Sequence, residues 1–308
     1  MLDGVMLRWF ILTGLSVSFV AVDVWKTPEA TALRWGFIIL TVFAGPLAAF
    51  FYVLGCREPL PGTHERYVAP TWKQVLGSTM HCASGDGLGI ITGAAVASVL
   101  ALPFALDLTL EYVLGFGFGW LFFQAFAMRD MAGGDYVKSL RMTFIPEFLS
   151  MNILMAGMLL VSKAWMAQVP GSSDPSNATF WFIMSMSLVA GFLCAYPMNW
   201  WLVTRHLKHG MMTVHKQPAD SYATHAGHEA PPPDAHASHH EHPGHAGHAG
   251  HEDPAPNAHA SHHEHPGHAG HGMGDPPSSG TVLMVAALSV VILTLAVLLV
   301  TTSIPATP

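Results

Sequence analysis

The 308-residue chain is 51% hydrophobic and only 11% charged, with a formal net charge of -7 at pH 7. Apolar residues gathered into long blocks exclude an ordinary soluble domain and describe a membrane protein. The acidic balance offers no basic surface for a nucleic acid, and the sequence has neither a phosphate loop nor the phosphorylated-aspartate motif of an ATP-driven pump.

A hydrocarbon core of about 30 Å needs roughly 20 apolar residues in helix. Seven blocks reach that length, near 6–25, 33–55, 76–102, 105–128, 143–167, 178–203 and 281–303. The expected fold is an all-α, polytopic membrane bundle of about seven transmembrane helices, with kinks at Pro46, Pro146 and Pro197. Its parts are a six-helix membrane domain (1–216), a His-rich linker (217–280) and a seventh helix (281–303). No small-residue cleavage pattern follows the first block, which reads as a retained helix rather than a signal peptide.

The cysteines Cys56, Cys82 and Cys194 are odd in number and lie in or beside apolar blocks, which argues against a disulfide framework. With seven straight crossings, ten of the 13 Lys and Arg fall on one face and Lys26, Arg34 and Lys163 on the other. The richer face is expected to be cytoplasmic. That places the amino terminus and the His-rich segment inside and the carboxy terminus outside, in a bacterial cytoplasmic (inner) membrane.

The third block opens with MHCASGD, residues 80–86. Asp86 follows Lys73 by 13 residues, about 20 Å of helix, so its carboxylate is expected well inside the bilayer. An acid at that depth costs about 2.5 to 3.5 kcal/mol and normally faces a cavity, a partner or an ion. Cys82 and Asp86 share a helix face, whereas His81 is turned about 100° away. Gly85, Gly89 and Gly93 make consecutive small-xxx-small steps, and Gly115 with Gly119 makes another, so the third and fourth helices should pack closely.

The fifth block carries PEFLSMNILMAGM, residues 146–158. Glu147, Met151, Met155 and Met158 fall on one helical stripe, an acid followed by three thioethers, with Asn152 beside it. Thioethers suit a soft ion such as Cu(I), and the alternative is plain core packing. The sixth block ends in CAYPMNWWLVTRHLKHGMM, where Tyr196, Pro197 and Asn199 are candidates for helix packing and Arg205 and Lys208 for anchoring at the interface.

From 217 to 280 the composition shifts to His, Ala, Gly, Pro and acid, and AHASHHEHPGHAGH occurs twice. Nothing there can form a core, so disorder is expected. The repeated imidazoles, His236, His239, His240, His242, His245, His248, His259, His262, His263, His265, His268 and His271, can fold around a transition-metal ion with little selectivity. The bland alternative is an expendable linker.

The runs MHCASGDGLGII, EYVLGFGFGW, PEFLSMNILMAGM, the pair Phe180 and Trp181, AYPMNWWLV and LKHGM resemble the bacterial multi-pass membrane family called domain of unknown function 4396, over roughly 35–213. The resemblance implies a shared membrane architecture and brings no activity. From the residues alone, the first expectation is binding or transport of a transition metal, copper first and zinc or nickel next, at His81, Cys82, Asp86, Glu147, Met151, Met155 and Met158. The alternative is a non-transporting membrane partner for metal delivery or metalloenzyme assembly. An enzyme with a Cys82 nucleophile ranks last, because neither an oriented base nor an oxyanion site is visible. Expected partners are the lipid bilayer, Cu, Zn or Ni ions as the possible bound species, and a second copy or a metalloprotein.

Overall fold

A computed structural model describes residues 2–129, 132–210 and 276–303. The described residues belong to one unit, 1–214 with 271–308, and the second unit, 215–270, lies outside them. In chain order the helices are α1 (Leu2–Asp23), α2 (Thr31–Phe51), α3 (His64–Val68), α4 (Thr71–Val99), α5 (Phe104–Gly117), α6 (Ala125–Ala127), α7 (Tyr136–Met166), α8 (Ala178–Thr204) and α9 (Ser279–Ser303). Wider π-type turns at Phe118–Gln124 carry α5 on into α6. Seven helical segments among the described residues are long and apolar enough to cross a membrane. The chain is an all-α, multi-pass membrane protein.

Helices α4 and α7 form the centre. Of their most apolar windows 67% is buried, against 11% for α1 and α9, whose Leu and Val side chains face outward. The glycine stripe explains how α4 comes so close to α5. A Cβ on Gly85 would meet Gly119 Cα at 2.9 Å, one on Gly89 would run into the backbone of Leu114 and Gly115, and one on Gly93 would lie 2.7 Å from Glu111 Cα. The missing side chains let the two backbones touch.

The second segment does not run straight. A single helix would hold Phe37 and Tyr52 about 22 Å apart along its axis, yet their ring centroids are 5.4 Å apart. Gly36 lies against Ser84 and His81 while Cys56 Sγ is 3.7 Å from Met80 Sδ, so both ends of the segment meet the same part of α4. The reversal is at Gly45, where φ is +56° and a Cβ would meet Trp9 and Thr13 of α1. Glycine supplies the conformation, and Pro46 disfavours helix at the residue before it. Pro146 and Pro197 lie inside continuous helices, so of the three expected kinks only the one at Pro46 becomes a break.

This hairpin corrects the expected path of the chain. Asp23 at the end of α1 pairs with Arg57 at 2.7 Å, and Thr27 bonds Tyr52 at 2.8 Å, so α1 ends where the hairpin returns and α4 begins. Trp9 near the start of α1 stacks edge-on with Phe182 near the start of α8, at the opposite end of the bundle. The beginning of α1 and the end of α8 are therefore at opposite ends of the bundle. Lys26 and Arg34 join Arg57, Arg66, Lys73, Arg129, Lys138, Arg141, Arg205 and Lys208 at one end, leaving Arg8 and Lys163 among the described residues at the other.

Helix α9 runs alongside α7 in the same direction. Asn152 Nδ2 donates to Ser289 Oγ at 3.1 Å, and Ala296 and Val300 pack with Ala156 and Leu159. The chain thus leaves α8 and enters α9 at the Lys- and Arg-rich end.

Candidate metal centre

Helical spacing places Cys82 and Asp86 on the face of α4 that looks at α7, and the first half of α7 brings Glu147 against them. One ligand atom from each, the Cys82 sulfur and one oxygen from each acid, lie within 4.8 Å of one another, and all three residues are fully buried. The Cys82 thiol donates to Glu147 Oε2 at 2.8 Å, and Gln124 Nε2 donates to the sulfur at 3.1 Å. Both oxygens of Asp86 and Oε1 of Glu147 have no hydrogen-bond partner among the described residues. Two of these unpaired oxygens, Asp86 Oδ1 and Glu147 Oε1, meet over Gly119, where a Cβ would strike both. Two acid groups converging without a donor require a proton or a cation between them.

Lys208 reaches this cluster from beyond the end of α8. His206 stands in the left-handed region with φ +58°, its amide bonds Val203 O at 3.2 Å, and the Leu207 amide bonds Leu202 O at 3.0 Å. This is a Schellman turn with histidine in the place usually held by glycine. It sends the next residue back into the bundle, where Lys208 Nζ donates to Asn199 Oδ1 at 2.9 Å and to Cys82 Sγ, and lies 3.8 Å from Glu147 Oε2. Asn199 is fixed in turn by donating to Ser150 Oγ at 2.9 Å. Burial works against the ammonium, but Cys82 and the carboxyl groups of Glu147 and Asp86 outweigh it and hold Lys208 above the ordinary lysine value.

The other expected ligands lie elsewhere. His81 turns Nε2 to Phe123 O at 3.2 Å, and its unpartnered Nδ1 faces Gly36 rather than the carboxyl pair. Met151, Met155 and Met158 are buried in the main apolar core. The Met151 methyl fills the space above Gly115, and the Met158 side chain packs on Gly191. Among the packing candidates, Asn152 bonds Tyr112 and Ser289, Tyr196 OH donates to Trp72 O, and Pro197 is exposed on the outer surface. The twelve loop histidines lie outside the described residues.

Sequence reasoning missed Lys208 as a member of the cluster, and with it Gln124, Ser150 and Gly119. The spacing of Gly115 and Gly119 marks the position, but as a packing step and not as part of a site.

A thiolate and two carboxylates form a mixed donor set suited to a borderline divalent ion such as zinc or cobalt, more than to Cu(I), which favours all-sulfur surroundings. No curated protein and no solved structure matches the chain. Residues 71–208, from the first residue of α4 to Lys208, match the family described as Domain of unknown function (DUF4396).

Proposed function

We propose that this protein binds a divalent transition metal inside the membrane at Cys82, Asp86 and Glu147 and passes it along the bundle, with zinc or a similar borderline ion ahead of copper. The observation that carries the reading is Asp86: fully buried, with neither oxygen partnered among the described residues, beside a thiol and a second acid within ligand distance of a single ion. A buried acid is costly without a compensating charge. Metal ligation would supply that charge to all three groups at once.

The reading places the protein in a bacterial cytoplasmic membrane with the Lys- and Arg-rich end inside. The start of α1 and the end of α9 then lie outside. The chain leaves α8 and enters α9 at the inner end, and the imidazoles of the His-rich segment between them would buffer ions in the cytoplasm. Reporter fusions at residue 1 and within 217–280 should report opposite sides. Equal signals would sink this orientation.

The deciding experiment is elemental analysis of the purified protein grown in mixed metals, compared with Cys82→Ser and with a chain lacking 217–280. Near-stoichiometric metal that survives loss of the segment and disappears with Cys82→Ser supports the site. Metal that leaves entirely with the segment overturns it. Uptake into vesicles then separates movement from simple holding, since a metal-delivery partner would bind without flux.

A further inference from the structure

We propose that Lys208 remains in place when the site is filled, and that its single positive charge makes the Cys82, Asp86 and Glu147 donors select a dication over a monovalent ion. The inference rests on the metal reading above and gives it a charge rule. It begins from where the ammonium is held. Nζ is tethered to Asn199 Oδ1 at 2.9 Å, and Asn199 is itself tied to Ser150, so the lysine has an anchor that owes nothing to the donor triad. Its ion pair is with Glu147 Oε2, at 3.8 Å.

The oxygens without partners among the described residues are different ones, namely Glu147 Oε1 and both oxygens of Asp86, with Glu147 Oε1 and Asp86 Oδ1 meeting above Gly119. An ion bound there meets these oxygens without evicting the lysine, and Cys82 Sγ, the donor that the ion and Nζ share, would keep the lysine's hydrogen bond while it ligates. Donors must be ionised to coordinate. One thiolate and two carboxylates carry three negative charges, Lys208 returns one, and a dication closes the sum to zero. A monovalent ion would leave a net negative charge in a water-poor interior, unless one donor kept its proton and dropped out of the site. Without Lys208 the dication meets the same difficulty. A soft monovalent ion held mainly by the thiolate loses less.

The competing picture makes Lys208 a placeholder that occupies the site until metal displaces it. The two differ in sign. Full-length wild type, Lys208→Gln and Lys208→Arg would be titrated in detergent with Co2+ and with Ag+, following thiolate-to-metal absorption against a Cys82→Ser baseline; the His-rich segment contains no cysteine and is silent in this signal. Lys208→Gln should weaken Co2+ by tenfold or more and Ag+ by much less, while Lys208→Arg keeps the wild-type ratio. Tighter Co2+ binding by Lys208→Gln, or equal losses for both ions, overturns the proposal.

A second measurement uses wild type alone and so does not depend on a variant folding. Lys208 should stay protected from an amine-reactive reagent on adding Co2+, read by peptide mass spectrometry, and its exposure by the metal would overturn the proposal. If wild type shows no Cys82-dependent absorption at all, the metal site itself fails and the charge rule with it. Absorption with the wrong charge preference removes the rule alone.

Discussion

Two lysines are buried against acids in this bundle, and they are buried differently. Lys163, in the last turn of α7, lies 2.7 Å from Asp107 Oδ2 and 3.6 Å from Glu111 Oε1, near the end of the bundle that has few positive charges, with its side chain 20% exposed. Lys208 is 4% exposed, bonds a thiol and an amide oxygen, and meets its carboxylate only at 3.8 Å. In the first cluster the cation reaches both acids. In the second, neither oxygen of Asp86 accepts a hydrogen bond from a donor group among the described residues. The first arrangement accounts for itself as an anchor between α5 and α7. The second leaves donor capacity unused at a depth where that is costly, which is the mark of a site rather than of a brace.

The largest expected effect comes from breaking the second pair. Glu147→Ala leaves the buried Lys208 ammonium with its carboxylate ion pair broken and only Cys82 and the more distant Asp86 to offset it, and loss of one partner of a buried pair costs about 3 to 5 kcal/mol. Asp107→Asn should cost about 1 kcal/mol or less, because Lys163 keeps Glu111 and is partly solvated. Thermal melting in one detergent ranks the two. Equal losses would erase the distinction between anchor and site.

Gly119→Ala sharpens the comparison by acting on the ion's space and not on a ligand. Its methyl would displace the two carboxyl groups, so metal affinity should fall tenfold or more in the Cys82-dependent titration. Gly89→Ala pushes the backbones of α4 and α5 apart instead, a crowding that costs about 1 to 3 kcal/mol in stability. If Gly119→Ala melts early and Gly89→Ala loses metal, the roles assigned to these glycines are reversed.

The methionine stripe is the next step down. Met151→Leu, Met155→Leu and Met158→Leu conserve volume and should each cost less than about 1.5 kcal/mol. They should leave the bound metal unchanged in amount and identity. A loss of copper on any of these changes, by elemental analysis, would restore the thioether path.

How much of this was legible in the chain follows from the range of each contact. The spans, the shared face of Cys82 and Asp86 and the glycine stripe are local periodicities, and a helix obeys them wherever it packs. The approach of Glu147 to Cys82 depends on how α7 crosses α4, which no spacing encodes. At Gly45 and Pro46 the sequence announces a bend, but only the contact of Phe37 with Tyr52 shows that the bend is a full reversal, and the orientation of α1 changes with it. Lys208 looked like an interface anchor because four residues past a helix end is where such anchors stand. The left-handed turn at His206, unusual for a side chain with a Cβ, redirected it inward.

The smallest effect concerns α9, which lies beyond the matched stretch of the family. Its polar tie to the core is Ser289, which accepts from Asn152 while Asn152 accepts from Tyr112 OH at 2.8 Å. Ser289→Ala leaves the Asn152 amide short of an acceptor in an apolar setting, where a single hydrogen bond is worth about 1 kcal/mol. The apolar contacts of Ala296 and Val300 with α7 remain, so α9 should stay docked. The melting temperature should drop slightly and Cys82-dependent metal binding should not change. A change in metal binding would mean that α9, joined through Asn152 and Tyr112 to the helices that carry Glu147 and Gly119, helps hold the site and is more than a lipid-facing addition.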